Sequence, residues 1–403
     1  MFPGTAWSLE PTRTLLVTLG RPEQHFVTIH VGGTNGKGSV ATLVYAALRE
    51  AGHAVGLYTS PHLVDVRERI IVNGRPITRE AFATWVERLR PDIERTGASF
   101  FDATTAVALA DFAARGVDLA VVEVGLGGRL DSTNVVQPAV ATVTRVALEH
   151  TEYLGTSLQG IAREKAGIAK PGVPFVIGEE DPDLRRELAD TAARAGARVV
   201  VVPPGELYDG PLGLVGPHQR RNAAIAAAVL AAMPEQWRPP PAAMRRGFGA
   251  AHVAGRFDRR GRFIFDVAHN PDGIRALVRT LAQERPPRPL HVVVGILGDK
   301  AWPEMLDHLL PVADAVWLTD PPSAPEARKW DLAEVERAVG RMGGRIAGHP
   351  SNRPTAQPSI TIQPDFDRAL AVAPVGAATV LVTGSFHTVG DALGRLPGFA
   401  PLG

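Results

Sequence analysis

The chain has 403 residues, 45% apolar and 21% charged, which suits two or three domains that each bury a core. A formal net charge of +1 without any dense basic run removes the electrostatic case for nucleic acid or an anionic membrane, and the absence of cysteine excludes disulfides, thiolate metal sites and a cysteine nucleophile. The opening Met-Phe-Pro-Gly-Thr-Ala-Trp lacks the basic start and apolar core of a signal peptide, and the longest apolar run, 223–233, is too short for a bilayer, so a cytoplasmic protein is expected.

The apolar, β-branched run 26–31 predicts a strand and the period of 40–50 a helix. Between them stands His30-Val31-Gly32-Gly33-Thr34-Asn35-Gly36-Lys37-Gly38-Ser39. Its glycines let several N–H groups converge on one anion, the helix start adds partial positive charge, and Lys37 adds a full one. A strict P-loop would put Ser or Thr directly after the Gly-Lys pair; here Gly38 intervenes.

Further along, 55–58 predicts a strand ending in Thr59-Ser60-Pro61, and Thr78 a cap for a helix over 79–95. A helix is expected over 104–115, a strand over 119–124 and another over 140–146. Helices follow at 157–169 and within 181–195, with strands at 175–177 and 199–202 and an Ala-rich helix over 222–233. The Pro-, Gly- and Arg-rich stretch 237–261 reads as a boundary. Beyond it strands are expected at 263–267, 291–295, 316–319 and 379–383, with helices at 273–283, 303–309, 332–340 and 365–373. The stretch 348–358 reads as an exposed loop. This alternation predicts an α/β protein with mostly parallel sheets.

Ser60, Glu123 and His150 all fall at strand ends, the edge where open α/β sheets bind ligands. Glu123 is either a strand-end surface carboxylate or an acid that holds a metal ion. His150 alone would more often be structural, and Lys165 reads as a solvated helix lysine. The Arg-Arg pairs at 185–186, 220–221, 245–246 and 259–260 read as solvated faces and loops. Asp266, His269 and Asn270 close a strand, as either turn chemistry or a ligand site. Together these residues suggest an ATP-dependent enzyme with its site between two domains.

The ordered stretches GGTNGKGS, YTSPHL with RERI, VVEVGLGGRLDSTNV, LEHTEYLG, IAREKAGIAKPG, GPHQRRNAA, GRFD, DVAHNPDG, GILGDKAW and TGSFHTVG, from about residue 30 to 390, resemble the folylpolyglutamate and dihydrofolate synthases, relatives of the Mur peptide ligases. The resemblance implies an N-terminal P-loop-type ATP-binding domain of the Mur central type over 1–250, a linker at 251–261, and a smaller, Rossmann-like glutamate ligase domain over 262–403. It implies ATP-dependent addition of L-glutamate to dihydropteroate and to folate polyglutamates through an acyl phosphate. The alternatives are a monofunctional folylpolyglutamate synthase, a Mur-type cell-wall ligase and a non-catalytic nucleotide-binding protein.

Carried over by position, Thr34, Asn35, Gly36, Lys37, Gly38 and Ser39 would hold the triphosphate. Asn222, Arg256, Asp266 and His269 would contact ATP. Ser60 and Glu123 would bind one Mg²⁺, and His150 with Glu123 a second. Lys165 matches a lysine that the family carbamylates into a metal ligand. Lys37, His150, Lys165 and His269 are the expected catalytic groups, and Ser385 a substrate contact. A monomer acting on folates or dihydropteroate and glutamate is expected. Three departures stand out: Leu148-Glu149-His150 replaces Leu-Asp-His, Asp266-Val267-Ala268-His269 replaces Asp-Gly-Ala-His, and an arginine usual after Asp320-Pro321-Pro322 occurs only at Arg328.

Overall fold

A computed structural model of the chain describes residues 8–341, 345–346 and 358–399. It forms two compact units, one of Met1–Pro61, Val66–Leu214 and Gln219–His252, the other of His62–Asp65, Val215–His218 and Val253–Gly403. The sequence expectation is a linker at 251–261 between domains 1–250 and 262–403; the structure groups 253–261, and the short stretches 62–65 and 215–218, with the second unit. Apart from Pro358, the loop expected at 348–358 lies outside the described residues.

The first unit contains strands β1 (Val27–Gly32), β2 (Val55–Tyr58), β3 (Ile70–Val72), β4 (Arg75–Pro76), β5 (Leu119–Glu123), β6 (Val140–Val143), β7 (Pro174–Ile177) and β8 (Arg198–Val201). They form one sheet in the order β4-β3-β2-β5-β1-β6-β7-β8, parallel except for β3 and β4 at one edge. β2, β5, β6 and β7 are buried at every position, which is why they read as continuous apolar runs rather than alternations. β1 lies between β5 and β6 with Val31 opposite Glu123, so the glycine loop leaves the middle of the sheet beside that carboxylate.

Several elements begin earlier than expected. The helix Phe100–Ala114 starts at a capping box in which Ser99 accepts from the Asp102 N–H and the Asp102 carboxylate accepts from the Ser99 N–H. The Ala-rich helix runs over Pro217–Ala232 and starts at a proline, a residue pre-set for the first helical turn. The boundary stretch 237–261 also holds a helix, Pro241–Ala250, because its prolines start a helix instead of a linker. That helix packs on Lys37–Glu50 so closely that a Cβ on Gly247 would stand 2.6 Å from Ala46 C and Ala47 N. Arg221 is not a solvated charge: it is buried and donates to the Pro203 and Gly178 carbonyls at 2.7 and 2.9 Å.

The second unit contains β9 (Asp258–Arg260), β10 (Phe263–Asp266), β11 (Leu290–Val294), β12 (Ala315–Leu318), β13 (Arg345–Ile346), β14 (Ser359–Ile362) and β15 (Thr379–Thr383). The order is β13-β14-β12-β11-β15-β10-β9, with only β9 antiparallel to its neighbour. Two apolar clusters fill it, one around Ile274, Val292, Met305 and Leu318, the other around Phe265, Val293, Phe366 and Val382. Asp266 sits opposite Thr383, so the turns after β10 and β15 emerge side by side. Among the described residues no helix is long and apolar enough to cross a membrane.

Candidate active site

The loop after β1 is bound down through its carbonyl oxygens. Gly32 O accepts from the Thr144 N–H at 3.0 Å, Asn35 O from Thr144 Oγ1 at 2.8 Å, and Gly36 O from the Val40 N–H at 2.9 Å. Two lysine amino groups take the carbonyls between: Lys165 Nζ donates to Gly33 O at 2.9 Å and Lys37 Nζ to Thr34 O at 3.0 Å. With the carbonyls turned inward, the amide side of the loop is the side that an anion would meet.

Gly33 has φ +137° and a Cβ there would fall on the Thr144 side chain; Gly36 has φ +90° and a Cβ there would lie 2.6 Å from Asn222 Oδ1. Asn222, held by Gln219 Oε1 at 2.9 Å, therefore borders the loop. The helix Lys37–Glu50 begins directly at Lys37, with Gly38 and the buried Ser39 in its first turn. Buried Thr34 is tied to the loop after β6 by its hydroxyl, which accepts from the Ala147 N–H at 3.1 Å.

Glu123 at the end of β5 is 4% exposed, which rules out a surface carboxylate. Its Oε2 accepts from the Ser60 N–H at 3.2 Å, and a Cβ on Gly38 would lie only 3.6 Å from the same oxygen. The structure thus gathers Ser60, Glu123, Gly38, Lys37 and Lys165 at the loop. A hydroxyl and a carboxylate beside a phosphate cradle suit a hard, oxygen-seeking cation such as Mg²⁺. Among the described residues no group of three or more His, Asp or Glu side chains is placed to hold a metal ion. His150 has φ +51° at the start of the short helix Thr151–Leu154, and its Nε2 stands 3.9 Å from Glu149 Oε1.

Lys165 is the residue that pattern reading misplaces. It is 4% exposed, and burial first, then repulsion from Lys37, lowers its pKa to about 7. The negative charges of Glu149, Asp131 and Glu164 oppose that shift. Of these, Glu149 entered the sequence analysis only as a departure from Leu-Asp-His, and Asp131 was not singled out; both stand in motifs, but neither spacing nor period distinguishes them from turn residues. Asp131 is itself buried and accepts from the Leu126 N–H at 2.8 Å and the Thr133 N–H at 3.0 Å. The glycines before it have a steric cause: a Cβ on Gly128 would lie 2.8 Å from the carbonyl oxygens of Glu164 and Lys165. The Gly125–Gly128 turn thus lies directly on the helix that carries Lys165.

In the second unit, Asp266 is buried at the end of β10, and burial raises its pKa while the Arg256 charge opposes the rise. Its two oxygens accept from the Phe257 N–H at 2.9 Å and the Ala268 N–H at 3.0 Å. His269 Nδ1 lies 2.8 Å from Val267 O; a carbonyl only accepts, so Nδ1 carries the proton. Asn270 is turn chemistry: its Oδ1 accepts from the Gly273 N–H at 2.8 Å and caps Pro271–Glu284. Ser385 is 2% exposed and caps Phe386–Arg395, accepting from the Thr388 N–H at 3.0 Å. Arg328 lies in a short turn, paired with Asp299 at 2.8 Å.

Residues 31–203 match the Mur ligase middle domain and residues 255–386 the Mur ligase glutamate ligase domain. A P-loop-type α/β unit followed by this second sheet is thus the architecture of a Mur-type ligase. The chain is 38% identical to the folylpolyglutamate synthase of Lacticaseibacillus casei, over 78% of this chain and 81% of that one. It is 33% identical to the dihydrofolate synthase/folylpolyglutamate synthase of Mycobacterium tuberculosis, over 96% and 89% of the two chains. A bifunctional folylpolyglutamate synthase/dihydrofolate synthase from Yersinia pestis, solved with AMPPNP and Mn ion, superposes with a TM-score of 0.82 at 31% identity, covering 97% of this chain and 94% of that one. The chain spans about half the length, 48%, of a Haloferax volcanii relative described as a probable bifunctional folylpolyglutamate synthase/dihydropteroate synthase, at 36% identity. The chain belongs to the folylpolyglutamate synthase/dihydrofolate synthase family.

Proposed function

We propose that this protein uses ATP to join L-glutamate to dihydropteroate and to folates or their polyglutamates. The observation that carries the reading is the buried Lys165 amine, bonded to Gly33 O of the phosphate loop, with Glu123 and Ser60 joined beside the same loop. The substrate carboxylate takes the γ-phosphoryl group and ADP departs. The amino group of glutamate then attacks the acyl carbon; the C–N bond forms, the C–O bond to phosphate breaks, and the nitrogen loses its extra protons to solvent.

In this reading the loop 34–39, through the amides that follow Thr34, and the Lys37 ammonium hold the phosphates and balance charge on the moving phosphoryl group, while the Thr34 N–H anchors the loop by donating to Arg145 O at 2.6 Å. Asn222, Arg256, Asp266 and His269 serve the nucleotide, and Ser385 shapes the turn near bound glutamate. Ser60 and Glu123 would hold one Mg²⁺, and His150 with Glu123 a second. The cation, when bound, supplies neutralisation of phosphate oxygens. Lys165, whose pKa is lowered to about 7 because it is buried beside Lys37, has a neutral amine available there that reacts with CO₂ to give a carbamate and a proton, which turns the amine into an anionic oxygen donor. The chain acts as a monomer in the cytoplasm.

Phosphate release with ATP, Mg²⁺ and glutamate tests the reading when dihydropteroate and a tetrahydrofolate are offered separately. Turnover with both is expected. Turnover with the folate alone would restrict the protein to folylpolyglutamate synthesis, and turnover with neither would overturn the proposal.

A further inference from the structure

The geometry points to Phe386 as a positioning residue that aligns Arg256 and His269 before ATP arrives; this rests on the function proposed above. The Arg256 guanidinium lies over the Phe386 ring, 5.5 Å from its centroid. The His269 imidazole packs against the same ring, with centroids 5.3 Å apart and planes at 50°. Two groups proposed to meet the nucleotide, from separate turns, thus share one apolar support that has no polar atom to offer a ligand.

The support is itself fixed. Phe386 is the first residue of its helix, directly after the buried Ser385 cap, and Thr388 Oγ1 of the same turn donates to Gly295 O at 2.7 Å. Gly384, at φ +108°, brings the chain so close to β11 that a Cβ there would lie 2.6 Å from Gly295 O. Asp266 meanwhile fixes the main chain on both sides, bonding Phe257, the residue after Arg256, and Ala268, the residue before His269. The carboxylate holds the two backbones and the ring holds the two side chains. An arginine has many rotamers to lose on binding, and a ring face that holds the guanidinium removes that loss in advance.

The test compares Phe386→Leu, which keeps volume without a π face, with Phe386→Tyr, which keeps the face. The Leu variant should raise KM for ATP and the ATP Kd about five- to thirtyfold. Its kcat should stay within about threefold and its KM for glutamate should not move. The Tyr variant should restore both ATP constants to within about twofold of the parent chain. Thermal midpoints of the two variants should coincide, so that a fold defect is not what is read. A Leu variant with parental ATP constants, or a Tyr variant as impaired as Leu, overturns the assignment. If the parent chain ligates no folate, ATP Kd still decides the role of Phe386, and a parent chain that binds no ATP overturns both readings.

Discussion

Burial strips Lys165 of water and Lys37 repels it, so its ammonium releases its proton near pH 7 instead of 10.5. The unfolded chain keeps that proton up to its ordinary value, so between about 7 and 10.5 the unfolded state binds more protons and stability rises with pH; below about 7 the cost of burying the charge is fully present. Lys165→Met should therefore raise the thermal midpoint more at pH 6 than at pH 10, while Lys165→Ala should abolish ligation and keep the fold. Equal gains at both pH values would refute the burial account, and full activity in the Ala variant would refute the role. The carbamate has its own signature: with ¹³C-bicarbonate, a carbamate carbon resonance should grow as pH rises through about 7 and be missing from the Ala variant. A signal that ignores the substitution would belong to another amine.

The helix Leu158–Ala166 carries Lys165 and is held by the glycine turn that lies on it. Gly128→Ala pushes a methyl to 2.8 Å from two carbonyl oxygens of that helix, so the helix must shift and ligation should fall at least about tenfold, since small misplacements at a reacting centre are costly. Gly247→Val crowds a contact on the far side of the loop helix and should cost about 1–3 kcal/mol of stability by overpacking, read in urea unfolding. Unchanged kinetics for the first variant, or unchanged unfolding for the second, would contradict these contacts. The same elements show what a sequence can reveal. β5 and β6 were legible because strands buried throughout read as apolar runs. The helix Pro241–Ala250 was not, because prolines that start a helix look like those that end one. Lys165 and Arg221 were illegible for a related reason: a charge inside a helix gives no local sign of the carbonyl that will receive it. Only the ordered motifs placed Lys165 at a site.

Across the whole molecule, each sheet presents its candidate groups at the carboxyl ends of its parallel strands: Glu123 at the end of β5 in the first unit, Asp266 at the end of β10 and Ser385 just past β15 in the second. Fold, family and loop together define an ATP-dependent ligase, while the substrate follows from the motifs and the relatives, because no side chain at the loop distinguishes one carboxylate from another. The central chemical claim is that the carboxylate oxygen attacks phosphorus. It is tested most directly with a folate whose terminal carboxylates carry ¹⁸O, incubated with ATP, Mg²⁺ and glutamate, and the released phosphate examined by mass spectrometry. An acyl phosphate requires one ¹⁸O in phosphate for each amide formed. Unlabelled phosphate released alongside amide would contradict the account.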